Sequence, residues 1–136
     1  MYLLDTVYLS ELRKRPHNDA AALWLHEQKS SDVFVSAMTI MEIERGIEQQ
    51  RRRNPPFAAS LETWLRDTLA AFDERILPIT TNVAQRWGRM QIQLKRDDDD
   101  VAIAATALEF DLRVVTRNVR DFAAMGVAIV NPFVPN

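Results

Sequence analysis

The sequence has no cysteine, which excludes disulfides, thiolate metal sites and cysteine nucleophiles together. It has only two histidines, His17 and His26, both in a polar early stretch, so a three-histidine zinc site is excluded as well. Any metal must therefore be held by oxygen, and oxygen ligands select a hard cation such as Mg²⁺ or Mn²⁺. An excess of charge of one sign is also lacking. The 17 Lys and Arg against 19 Asp and Glu leave a net charge of −2, so no general basic coat for nucleic acid exists, although a local patch would suffice for RNA. No apolar run approaches the roughly 20 residues that span a bilayer, and the N-terminus lacks the basic-then-apolar layout of a signal peptide. A cytoplasmic protein with no membrane partner is expected. No repeat, low-complexity tract or linker divides the chain.

What is present suits one ordinary globular domain over 1–136: the chain is 47% apolar and 26% charged. Short apolar runs at 1–4, 33–35, 76–79, 113–116 and 127–130 read as strands, with Pro78 placing the third at an edge or strand end. Helical periodicity fills the intervals. One helix carries Leu9 and Leu12 and stops near Pro16. A second is capped by Asp19. A third is opened by Ser36 or Thr39 and runs to about Arg52, with Ile40, Ile43 and Ile47 on one face. After Asn54-Pro55-Pro56 a fourth carries Leu61, Trp64, Leu65, Leu69 and Phe72. Others start near Thr81, at Val101 and at Val119. Such alternation predicts an α/β sandwich with a mainly parallel, short-stranded sheet flanked by helices. In these sheets ligands bind beyond the carboxyl ends of the strands.

That rule draws attention to acidic residues. Asp5 stands at the tip of the first strand, either as a helix cap or as a poorly solvated carboxylate in need of a cation. Asp121 follows the fourth strand, with Arg117 and Arg120 near enough in sequence to balance it on a surface. Glu42 shares a helix with Glu44 and Glu48, and periodicity does not choose among them; Gly46, one turn on, removes bulk beside Glu42. In Asp97-Asp98-Asp99-Asp100 a solvated helix entry accounts for the first three. Asp100 directly precedes Val101-Ala102-Ile103-Ala104-Ala105, apolar on nearly every face, and is the member expected to point inward.

Taken together, Leu3-Leu4-Asp5-Thr6, Thr39 to Ile47, Asp100 to Leu108 and Val115 to Phe122 resemble a PIN domain, in the family's order and across essentially the whole chain. The subgroup most similar is the VapC/FitB-type toxin of bacterial toxin–antitoxin pairs. The resemblance implies a PIN-like three-layer sandwich. It also implies an Mg²⁺- or Mn²⁺-dependent endoribonuclease whose acidic quartet falls on Asp5, Glu42, Asp100 and Asp121. Thr6, Thr116 and Asn118 would support the site. It further implies RNA as substrate, a cognate antitoxin and a homodimer. The chain departs from the family in two places: Val7 stands where asparagine is common, and the segment from Gly88 to Asp100 is short, so Asp98 or Asp99 could share or take the third position. A catalytically impaired PIN-like module that binds RNA or protein is the alternative.

Arg13, Lys14 and Arg15 after the first helix, and Arg51, Arg52 and Arg53 at the end of the third, offer either a grip on RNA or ordinary cationic helix ends.

Overall fold

The computed structural model describes residues 1–134. The elements follow in the order β1 (Tyr2–Leu4), α1 (Thr6–Arg13), α2 (Asp19–His26), β2 (Val33–Ser36), α3 (Ala37–Arg53), α4 (Pro55–Phe72), β3 (Ile76–Leu77), α5 (Thr81–Leu94), α6 (Asp99–Phe110), β4 (Arg113–Val115), α7 (Val119–Ala123) and β5 (Ile129–Val130). The sheet is wholly parallel, in the order β3-β2-β1-β4-β5.

Three layers follow from the two-residue period of a strand. Leu3, Phe34 and Val114 turn to one face and meet Val83, Met90, the apolar face of α6, Phe122 and Met125. Leu4, Val33, Val35 and Val115 turn to the other and meet Tyr8, Leu9, Ile43, Ile47 and Leu65 from α1, α3 and α4. With both faces covered, the strands read as continuous apolar runs rather than alternating ones. Val101 to Ala105 are fully buried, as the all-round apolar character of that segment requires.

Several boundaries differ from expectation, each for a local reason. Asn18, not Asp19, caps α2, its side chain accepting the Ala21 N–H at 2.9 Å; Asp19 takes the first turn, where the helix dipole favours its charge. Ser36 caps α3 through the Met38 N–H, while Thr39 is buried inside the helix. The third strand stops at Leu77 because Pro78 has no N–H for the ladder. The fourth stops at Val115. The fifth shrinks to Ile129–Val130, Val127 instead packing against the α5–α6 layer. α6 begins at Asp99, so Asp99 and Asp100 occupy its first turn rather than preceding it.

Asn54 ends one helix and starts the next. It is the C-cap of α3, and its side chain accepts the Phe57 N–H at 3.2 Å as the N-cap of α4, where Pro55 and Pro56 need no donor of their own. Asn54→Ala should lower unfolding stability by about 1 kcal/mol in urea denaturation. No change would show that the prolines alone set the bend.

The strand order positions the site. From β1 the chain proceeds outward to β2 and β3, then returns to lay β4 and β5 on the opposite side of β1. The crevice between β1 and β4, at their carboxyl ends, is the place where connections diverge and ligands enter such sheets.

Candidate active site

Asp5 leaves β1 at that crevice. Its backbone N–H continues the ladder to the Val115 carbonyl at 3.1 Å, and its carboxylate caps α1 by accepting the Tyr8 N–H at 2.7 Å. Its other oxygen accepts the Thr116 hydroxyl at 2.5 Å. The Thr116 oxygen in turn accepts the Asn118 N–H at 2.8 Å. Asn118 thus contributes through its backbone. Both expected roles of Asp5, helix cap and strand-tip acid, belong to one side chain. It is 1% exposed, and burial, outweighing its hydrogen bonds and reinforced by the charge of Asp100, raises its pKa to about 6.

Glu42 is distinguished from its neighbours by a partner 36 residues away. The Thr6 hydroxyl donates to its Oε1 at 2.8 Å and stands 3.0 Å from the Thr39 hydroxyl. Glu44 is exposed and Glu48 pairs with Arg51. Partial burial, then the charges of Asp99 and Asp100, raise the Glu42 pKa. Thr39 carries no catalytic signal in sequence; its burial beside a second threonine is what brings it into the site.

The acidic run is sorted by two arginines. The guanidinium of Arg96 takes both oxygens of Asp98, at 2.8 and 2.7 Å, and holds its pKa below the ordinary range. Arg45, from α3, takes Asp99 at 2.5 Å. Neither Asp98 nor Asp99 is left unpaired. Asp100 is raised in pKa chiefly by burial, then by the charges of Asp98, Asp121 and Asp99, and it acts in turn on Asp5 and Glu42. It is the acid that the other three share. Asp121 lies exposed in the first turn of α7. Phe122 beside it is fully buried and fixes that turn on the sheet.

The structure therefore brings Asp5, Glu42, Asp100 and Asp121 to one rim of the sheet, with Thr6 and Thr116 bonded to the first two. Among the described residues, no group of three or more acidic or histidine side chains is arranged to hold a metal ion as it stands. A closed cage is not required. Mg²⁺ keeps several of its waters and takes only a few carboxylates directly. One buried carboxylate, Asp5, and two half-buried ones, Glu42 and Asp100, all with raised pKa values, form a hard, all-oxygen donor set whose chemistry fits a hydrated divalent cation.

Beside Glu42 a groove of about 220 Å³ runs between α1, α3 and α4. Gly46 borders it, and a Cβ there would meet nothing within 4 Å, so the open space expected at this glycine exists. Arg13 closes the far side, its guanidinium 5.4 Å from the Phe57 ring and 5.7 Å from that of Trp64. Of the apolar run on α4, Leu65 belongs to the core, Leu61 and Trp64 line the groove, and Leu69 is exposed. Arg51 is engaged by Glu48 and Glu62. Val7, in the first turn of α1, is 43% exposed. No helix among the described residues is long and apolar enough to cross a membrane.

A family model described as "PIN domain" matches residues 2–128. The chain is similar to the VapC ribonuclease Y4jK of Sinorhizobium fredii, at 30% identity over 99% of each chain. It is also similar to the toxin FitB of Neisseria gonorrhoeae, at 33% identity over 98% of this chain and 99% of the other. The crystal structure of FitAcB from that organism superposes with a TM-score of 0.84 at 32% identity, covering 98% of this chain and 99% of its own.

Proposed function

This chain belongs to the PIN-domain family, and on that premise we propose that it is a divalent-cation-dependent endoribonuclease, the toxin of a toxin–antitoxin pair. The observation that carries the proposal is the convergence on Asp100: Asp5 from β1, Glu42 from α3 and Asp121 from α7 all lie within electrostatic reach of it, at the crevice where β1 and β4 part. A ribonuclease and a toxin among the relatives support the activity class.

Asp5 and Asp100 are the residues that would hold Mg²⁺ or Mn²⁺ most directly, with Glu42 and Asp121 binding directly or through water. When bound, such an ion supplies a water of lowered pKa and a Lewis acid at the scissile phosphate. The rest falls to the chain. Thr116 and the Tyr8 N–H fix both oxygens of Asp5, so the carboxylate cannot rotate away. Thr6 does the same for one oxygen of Glu42. Arg45 and Arg96 hold Asp99 and Asp98 in ion pairs, and Asp99 stays close enough to act on Glu42 together with Asp100. No side chain is needed as a covalent nucleophile. The test is cleavage of a mixed RNA panel by the purified chain with Mg²⁺ or Mn²⁺ and with excess EDTA. Cleavage that persists in EDTA, or none with either ion, would refute the proposal, the latter favouring a binding module.

Thr116 supplies a graded test. Thr116→Val keeps the shape but frees one Asp5 oxygen. It should lower the single-turnover cleavage rate about 10–100-fold, the usual effect of losing a residue that orients a metal ligand. An unchanged rate would remove Thr116 from the site.

The same proposal extends to partners. An antitoxin segment would occupy the groove lined by Leu61, Trp64 and Gly46, where it would cover Glu42. The homodimer rests on the resemblance alone.

A further inference from the structure

Arg96 gives no signal in the sequence, where it reads as one more cation beside an acidic run. In the fold it joins two segments. Lys95, the C-cap of α5, takes a left-handed backbone conformation, φ 54°, which turns the chain and delivers Arg96 toward the rim. There Nε and Nη2 form a two-point fork on Asp98, at 2.8 and 2.7 Å. Nη1 reaches the backbone carbonyl of Asp121 at 3.5 Å. Its side chain is 26% exposed, half that of Arg45 at 52%. One planar group thus spans the turn that opens α6 and the first turn of α7, the segments that carry Asp100 and Asp121.

We infer that Arg96 is a positioning residue: by gripping Asp98 and reaching the Asp121 carbonyl it sets the spacing between Asp100 and Asp121, and with it the fit of a divalent cation at the rim. The inference rests on the metal site proposed above. It has a clear rival, because a guanidinium near a cation site also repels the cation. The two accounts predict opposite signs. If Arg96 acts only through its charge, removing it tightens cation binding. If it acts as a spacer, removing it loosens binding.

Mn²⁺ binding to the full chain, followed by calorimetry at neutral pH, separates them. Arg96→Lys keeps the charge but lacks the fork. Arg96→Gln removes the charge. The double variant Arg96→Gln/Asp98→Asn removes a pair of opposite charges and leaves the local net charge unchanged. Positioning predicts about 10–100-fold weaker Mn²⁺ binding in all three, and a double variant no weaker than Arg96→Gln, since the partners act through one contact. Unchanged affinity in Arg96→Lys, tighter binding in Arg96→Gln, or wild-type affinity in the double variant would each overturn the role. Circular dichroism melting checks the fold, and if Arg96→Lys fails to fold the double variant decides. A wild-type chain that binds no Mn²⁺ refutes the metal site itself, and the role of Arg96 with it. Weak binding in Asp5→Asn with normal binding in the Arg96 variants refutes Arg96 alone.

Discussion

Asp5→Asn is expected to lower metal-dependent RNA cleavage by at least about a thousandfold, the equivalent of the several kcal/mol that a bound cation contributes to a phosphoryl transition state. The fold should survive. An asparagine oxygen still accepts the Tyr8 N–H and so still caps α1, and the new NH₂ faces the Thr116 hydroxyl oxygen, which has lone pairs to accept it. The loss should therefore appear in cleavage and in Mn²⁺ affinity, while the far-ultraviolet circular dichroism spectrum stays the same. Full activity in this variant would place the chemistry elsewhere.

The metal-free protein is expected to lose stability as pH rises from about 4 to about 6, by on the order of 3 kcal/mol from Asp5 alone. The sign follows from proton binding. Folded Asp5 titrates at about 6 against an ordinary 3.8, so between those values the folded chain keeps a proton that the unfolded chain has released. Raising the pH then favours unfolding, and the effect levels off above 6. Asp98 works in the opposite direction, its lowered pKa adding stability as its carboxylate ionises. The informative measurement is thus the difference between wild type and Asp5→Asn in urea denaturation across pH 4–7. Asp5→Asn should gain on the wild type through this window, and Mn²⁺ at neutral pH should restore the wild type alone. Parallel pH profiles for the two proteins would show that burial does not hold Asp5 as described.

Much of the fold was open to inspection in the sequence because its physical rules are local. Runs such as Leu3-Leu4 and Val114-Val115 read as short strands, and the strand-end rule then draws attention to Asp5. The apolar segment behind Asp100 points it inward, and in the fold it is half-buried. What escaped depends on partners distant in sequence. Glu42 differs from Glu44 by its contact with Thr6, which helical periodicity cannot register and which the family resemblance supplied instead. Thr39 inside α3, and the two arginines that sort the acidic run, are defined by contacts across elements. Strand lengths were overestimated where a proline or a turn cut the ladder, as at Pro78. The cap of α2 was misplaced by one residue because Asn18 and Asp19 are both good caps in isolation.

The hydrogen bond between Thr116 and Asp5 joins residues separated by 111 positions. β1 lies at the centre of the sheet, yet β4, one of its two neighbouring strands, comes from a distant part of the chain. During translation Asp5 is therefore made before the hydroxyl that fixes it and before Asp100 and Asp121. On the nuclease reading, a polypeptide interrupted before β4 would lack the assembled rim, and the acidic cluster would form only when β4 docks alongside β1.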